Sequence, residues 1–167
     1  MSSPSFTIIS ISRTHQLNMN VFIGVEGFTL PAGFIAKEIC ILFPNREFCH
    51  YIFKAPINPN LSAADHRTIR FTTDKLNKLS WYDGFISYET IPEIMIEFQQ
   101  FRIFTYGEVV MRFIQKLLPL SVVTNTQTDG HTMPSVLPNP ACCRDHPPRY
   151  CAKAKAVAIG EFVESLD

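Results

Sequence analysis

Glu26 follows an apolar run, Val21-Phe22-Ile23, within the segment Gly24-Val25-Glu26-Gly27-Phe28. A strand that delivers carboxylates at its C-terminal end can hold a divalent cation, because hard cations take oxygen ligands. A two-metal centre wants an Asp-x-Glu pair there, both side chains on one face by the strand's period of two. Here the second acid is present and the first is Gly24. A lone Glu does not hold two metals. The plainer reading makes Glu26 a turn residue beside Gly27.

A second group comes late, in Cys142-Cys143-Arg144-Asp145-His146-Pro147-Pro148-Arg149-Tyr150-Cys151. The spacing Cys143-x2-His146-x4-Cys151 suits zinc, whose usual ligands are thiolate and imidazole. A closed site needs a fourth ligand, and Cys142, His131 or Cys49 could supply it only through the fold. The same residues could instead form half of a catalytic centre with His146 as general base and Glu26, with Asp145 or Asp83, as further ligands. The plainer reading packs Cys151 as the first residue of a helix and leaves His146 in a loop. Arg144, Arg149, Lys153 and Lys155 cluster near that helix start and could meet phosphates, with Tyr150, Trp81, Tyr82 and Tyr106 available to stack bases. A solvated helix face explains the basic residues equally simply. Asp83 reads as a turn former in Trp81-Tyr82-Asp83-Gly84, and His50 as a satisfied sheet histidine. No phosphate loop, dinucleotide fingerprint or serine nucleophile elbow is present.

The elements that must position these residues fit one domain. The chain has 167 residues, 15 Lys+Arg against 15 Asp+Glu, 46% hydrophobic content and 14 phenylalanines. That is enough to bury a core and too apolar for global disorder. The balanced charge excludes a polybasic nucleic-acid binder, though not a local basic patch. No apolar run is long enough for a membrane span, and the start of the sequence lacks the pattern of a secretory signal. The expectation is therefore an intracellular protein, cytoplasmic or nuclear, whose five cysteines are free thiols or metal ligands.

Residues 1–19 read as an arm and 20–167 as a single domain. Three strands come first: a short one at Val21 to Ile23, then Phe34 to Phe43 and Phe48 to Phe53 as a hairpin. A loosely patterned helix spans Ala63 to Leu79, and Ile91-Pro92-Glu93 opens a short one with Pro near its first position. Phe101 to Thr105 is a strand. In Glu108 to Leu118, Val109, Val110, Phe113, Ile114, Leu117 and Leu118 share one helical face, and Pro119 stops the helix. Residues 124–150 read as a long loop, and Cys151 to Leu166 as an Ala-rich helix. This is an α/β order.

In that order the pieces resemble the exonuclease branch of the ribonuclease H-like superfamily, the DEDD nucleases. The resemblance implies a mixed sheet that begins with an antiparallel meander and is flanked by helices. Its first motif, Asp-x-Glu, falls on Gly24-Val25-Glu26; its last, His-x4-Asp before a small residue, falls on His146-x4-Cys151 and Ala152. The middle acid should follow a late strand, where Tyr106, Gly107, Val110 and Met111 stand. The chain is also similar to exonuclease-like proteins of arthropods, their viruses and mobile elements, through Gly27-Phe28, Lys37-Glu38 and Cys143, His146, Cys151, Ala152. The resemblance spans about residues 20–166.

Three of the family's four metal-binding carboxylates are absent here, at Gly24, in the middle motif and at Cys151. Loss of transition-state metals outweighs the ~10²–10³-fold cost of one lost oxyanion donor. The expectation is a catalytically degenerate domain, a pseudoenzyme that binds single-stranded RNA or DNA, or a protein partner. Arg149, Lys153, Lys155 and Tyr150 would be its nucleic-acid contacts, and Cys142, Cys143, His146 and Cys151 a zinc site. The alternatives are an active 3′-5′ exonuclease using Mg or Mn with Glu26 and His146, and a structural or self-assembling viral protein.

Overall fold

A computed structural model describes residues 19–57, 60–133 and 150–167. Five strands form one mixed sheet: β1 (Asn20–Leu30), β2 (Gly33–Leu42), β3 (Phe48–Ile52), β4 (Arg102–Thr105) and β5 (Val123–Asn125). Their order across the sheet is β3-β2-β1-β4-β5. β1 pairs antiparallel with β2, and β2 with β3; β4 lies parallel to β1, and β5 parallel to β4. Among the described residues four α-helices flank the sheet: α1 (Ala63–Phe71), α2 (Ile91–Ile96), α3 (Glu108–Leu117) and α4 (Ala152–Glu164). The chain is thus a mixed α/β protein with helices on both faces of its sheet.

Alternation along the strands divides the core in two. Val21, Ile23 and Val25 of β1 join Ile39, Ile41 and Ile103 on one face, covered by Met95 of α2 and by Ile114 and Leu118 in and after α3. Phe22, Cys40 and Leu42 point to the other face and meet Ala152, Ala156, Ile159 and Val163 of α4. The small side chains of α4 let its backbone settle onto the sheet. A methyl group on Gly24 would stand 1.9 Å from the carbonyl oxygen of Ala152. No real side chain fits there.

The β1-β2 ladder carries a bulge. Gly27 pairs with Ala36, but Glu26 pairs with Glu38, so Lys37 is the extra residue. A bulge bends its strand and re-aims side chains. Beyond it, Phe28 and Leu30 of β1 pack against Ile69 of α1 and Trp81. Ser62 caps α1: its Oγ accepts from the amide of Asp65 at 3.1 Å, while the Asp65 carboxylate accepts from the Ser62 amide at 2.8 Å. This reciprocal box satisfies two otherwise orphaned donors.

Several expected boundaries change. β1 is 11 residues long rather than a short run at Val21 to Ile23, because β2 pairs with it from Phe22 to Leu30 while β4 pairs with its start, Asn20 to Phe22. The helix expected over Ala63 to Leu79 stops at Phe71, continues as a π-turn over Thr72–Asn77, and ends at Lys78 in a left-handed conformation, φ 58°. The stretch expected as a loop from 124 begins instead with β5, which β4 recruits by parallel pairing, and with a 3₁₀ turn over Thr126–Asp129. Among the described residues no helix is long and apolar enough to cross a membrane.

Candidate functional site

Strand register assembles the site. Gly24 stands opposite Cys40, Glu26 opposite Glu38, and Cys40 opposite His50, all on the sheet face that α4 covers. Glu26 is 7% exposed and Glu38 is fully buried. Two carboxylates directly opposite one another repel, and burial strengthens the repulsion. Each is therefore matched to a base. The Lys155 ammonium from α4 pairs with Oε1 of Glu26. The His50 Nε2 lies 2.6 Å from Oε1 of Glu38.

Cys151 completes the group. It is the N-cap of α4, fully buried, and its Sγ accepts from the amide of Ala154 at 3.5 Å. The same sulfur approaches Oε1 of Glu38 at 4.0 Å. Glu38 is thus shared between an imidazole and a thiol, while Glu26 holds an ammonium. The result is an internal acid-base network on the sheet face beneath α4. Among the described residues no group of three or more His, Cys, Asp or Glu side chains is placed to hold a metal ion.

The expected site residues are distributed unevenly. Glu26, Cys151 and Lys155 converge here. Lys155 is engaged by Glu26, and the Lys153 ammonium lies 3.7 Å from the centroid of the Phe48 ring, a cation-π contact. Tyr150 is half-buried just before α4. Cys142, Cys143, Arg144, Asp145, His146 and Arg149 lie outside the described residues. Two suggested fourth zinc ligands are committed elsewhere. Cys49 packs on the opposite face of the sheet from α4, where burial raises its thiol pKa. His131 stacks on Phe162 at 4.4 Å with its Nδ1 2.8 Å from Oγ1 of Thr126, and burial lowers its pKa. Of the aromatics, Trp81 is buried against Phe28, with ring centroids 5.5 Å apart. Tyr106 meets His131 edge-on at 5.2 Å. Tyr82 is 89% exposed.

Glu38 and His50 belong to this network and Lys37 to a separate buried contact, and none of the three was among the expected site residues. Lys37, the bulged residue, is buried and donates from Nζ to the carbonyl of Trp81 at 2.9 Å and to that of Asp83. It thereby ties the Trp81-Tyr82-Asp83 turn to the sheet. Burial lowers its pKa from 10.5 to about 8, with nearby Asp83 acting in the opposite direction. Between these values the folded state binds fewer protons than the unfolded chain, so stability rises with pH. Below about pH 8 Lys37 is charged in both states, and its desolvation cost is present in full. Denaturant midpoints of the wild type and Lys37→Met should therefore converge or cross in the wild type's favour from pH 8 to pH 10. Parallel midpoints over that range would refute the assignment.

No protein-family model matches the chain, and no curated protein matches it significantly.

Proposed function

We propose that the chain is a ribonuclease H-like domain that has abandoned two-metal cleavage and acts by binding single-stranded nucleic acid. The strand order, with its antiparallel meander followed by two strands parallel to β1 and a last helix over β1, supports that architecture. The observation that carries the loss of cleavage is the contact at Gly24. The backbone of α4 occupies the space that a first-motif aspartate would need. The second position of that first motif keeps its acid, but Lys155 neutralises Glu26 from within the protein. An ammonium paired with that carboxylate competes directly with a divalent cation for its oxygens.

The reading is tested with end-labelled single-stranded RNA and DNA. In the presence of Mn²⁺, the wild type and Glu26→Gln should leave the strands equally intact, while electrophoretic shifts appear at about 50 mM salt and fade as salt rises. Shortening of the strand by the wild type that Glu26→Gln abolishes would restore the nuclease reading. The absence of any shift at low salt would remove the binding function.

A further inference from the structure

The basic residues in the first turn of α4 are committed: Lys155 holds Glu26 and Lys153 lies over Phe48. A different surface carries cations that are not so engaged. Along α1 and its π-turn, His66, Arg67, Arg70 and Lys75 are exposed, and Arg67, Arg70 and Lys75 form no salt bridge among the described residues. Asp74 is the exposed acid on this stretch, since Asp65 is buried in the cap of Ser62. In a chain whose total charge is balanced, this is a local positive face.

Aromatic rings stand beside it. Phe71 is 58% exposed at the end of α1, and Tyr82 projects from the neighbouring turn. A cleft of about 190 Å³ runs between α1 and that turn, with Arg70 and His66 on one wall and Trp81 and Tyr82 on the other. It adjoins a shallower depression of about 360 Å³ that shares His66 and Arg70 and adds Arg67, Phe71, Asp74 and Lys75, so three cations and a histidine outnumber the one carboxylate. Guanidinium groups that track phosphates, interleaved with exposed rings on which bases stack, are what a single strand needs. The turn bearing Tyr82 is also pre-positioned, because Lys37 anchors its carbonyls from the sheet. Ordering it on binding costs less as a result.

We infer that the α1 face, with Arg67, Arg70, Phe71 and Tyr82, is the surface on which this protein seats a single-stranded nucleic acid. The inference rests on the binding function proposed above and specifies where it resides. An acidic peptide would satisfy the cations but leave the rings without partners.

Fluorescence anisotropy with labelled oligouridylate and oligothymidylate tests it, and the two probes separate RNA from DNA as the source of the strand. Tyr82→Ala should weaken binding roughly tenfold, the loss of about one stacked base. Arg67→Ala/Arg70→Ala should weaken it too and flatten the slope of log K against log salt by about 1.4, at roughly 0.7 per lost phosphate contact. Lys116→Ala, on α3 and lining neither depression, should bind as the wild type does. These side chains are exposed, so matched denaturant midpoints will show that the variants remain folded. If the wild type binds and the α1 variants bind equally well, this location is wrong and the binding function stands. If the wild type binds neither probe, both fall. Equal competition by polyglutamate would also overturn the inference, because it would show recognition of charge without bases.

Discussion

Gly24→Ala is expected to cost on the order of 3 kcal/mol or more, the upper range for overpacking a well-filled interior. The added methyl would lie 1.9 Å from the Ala152 carbonyl oxygen and 2.9 Å from the Ala156 amide nitrogen. Both are backbone atoms of α4, so no rotamer change relieves the contact; the helix must move off the sheet. Moving it also disturbs Cys151 and Lys155, which α4 delivers to Glu38 and Glu26. Gly160→Ala supplies the comparison. Its methyl would meet the Phe22 ring at 3.0 Å, and a ring edge can tilt where a backbone cannot. Urea titrations should therefore show a much smaller loss for Gly160→Ala. Gly24→Asp, which would write the Asp-x-Glu of the resembled nucleases, should be at least as damaging and should yield no cleavage. A Gly24→Ala protein within about 0.5 kcal/mol of the wild type, the range of ordinary surface substitutions, would contradict the packing account.

Lys155→Met should be the second severe change, on the order of 2 kcal/mol. Removing one partner of a fully buried pair costs about 3–5 kcal/mol, and the partial exposure of Lys155 admits water that moderates the loss. The damage comes from Glu26, whose buried carboxylate would then face Glu38 across the β1-β2 ladder without its ammonium. Lys155→Met/Glu26→Gln should recover most of the stability, because the amide removes the charge along with its need for a partner. A double-mutant cycle in urea measures this directly. Strictly additive losses would mean that the two side chains do not depend on each other.

Much of the secondary structure was legible from local patterns. The hairpin of β2 and β3 announces itself through β-branched and aromatic runs around Pro44-Asn45, and α3 through its apolar stripe. β5 was not legible: three residues, Val123–Asn125, carry too little pattern, and β4 makes them a strand by pairing with them. Antiparallel pairing with β2 likewise extends β1 through Glu26 and Gly27, which locally resemble a turn.

The candidate site was half legible. Glu26 and Cys151 stood out by type and position, yet their partners did not. A plain hairpin from the Leu30-Gly33 pair would set Glu26 opposite Lys37 and suggest a cross-strand ion pair. The bulge moves Lys37 out of register and sets Glu38 there instead. That single extra residue sends the lysine to the Trp81-Asp83 turn and brings two acids face to face. His50 and Lys155, distant in sequence, then become necessary as counter-groups.

Residue types and spacing alone established that Gly24 and Cys151 stand where the resemblance expects acids, since an absent acid is visible without coordinates. Only the tertiary structure decided how Glu26 and Glu38 are used and which basic residues remain exposed. Burial, strand register and the close approach of α4 set those outcomes, and each depends on contacts between segments far apart along the chain.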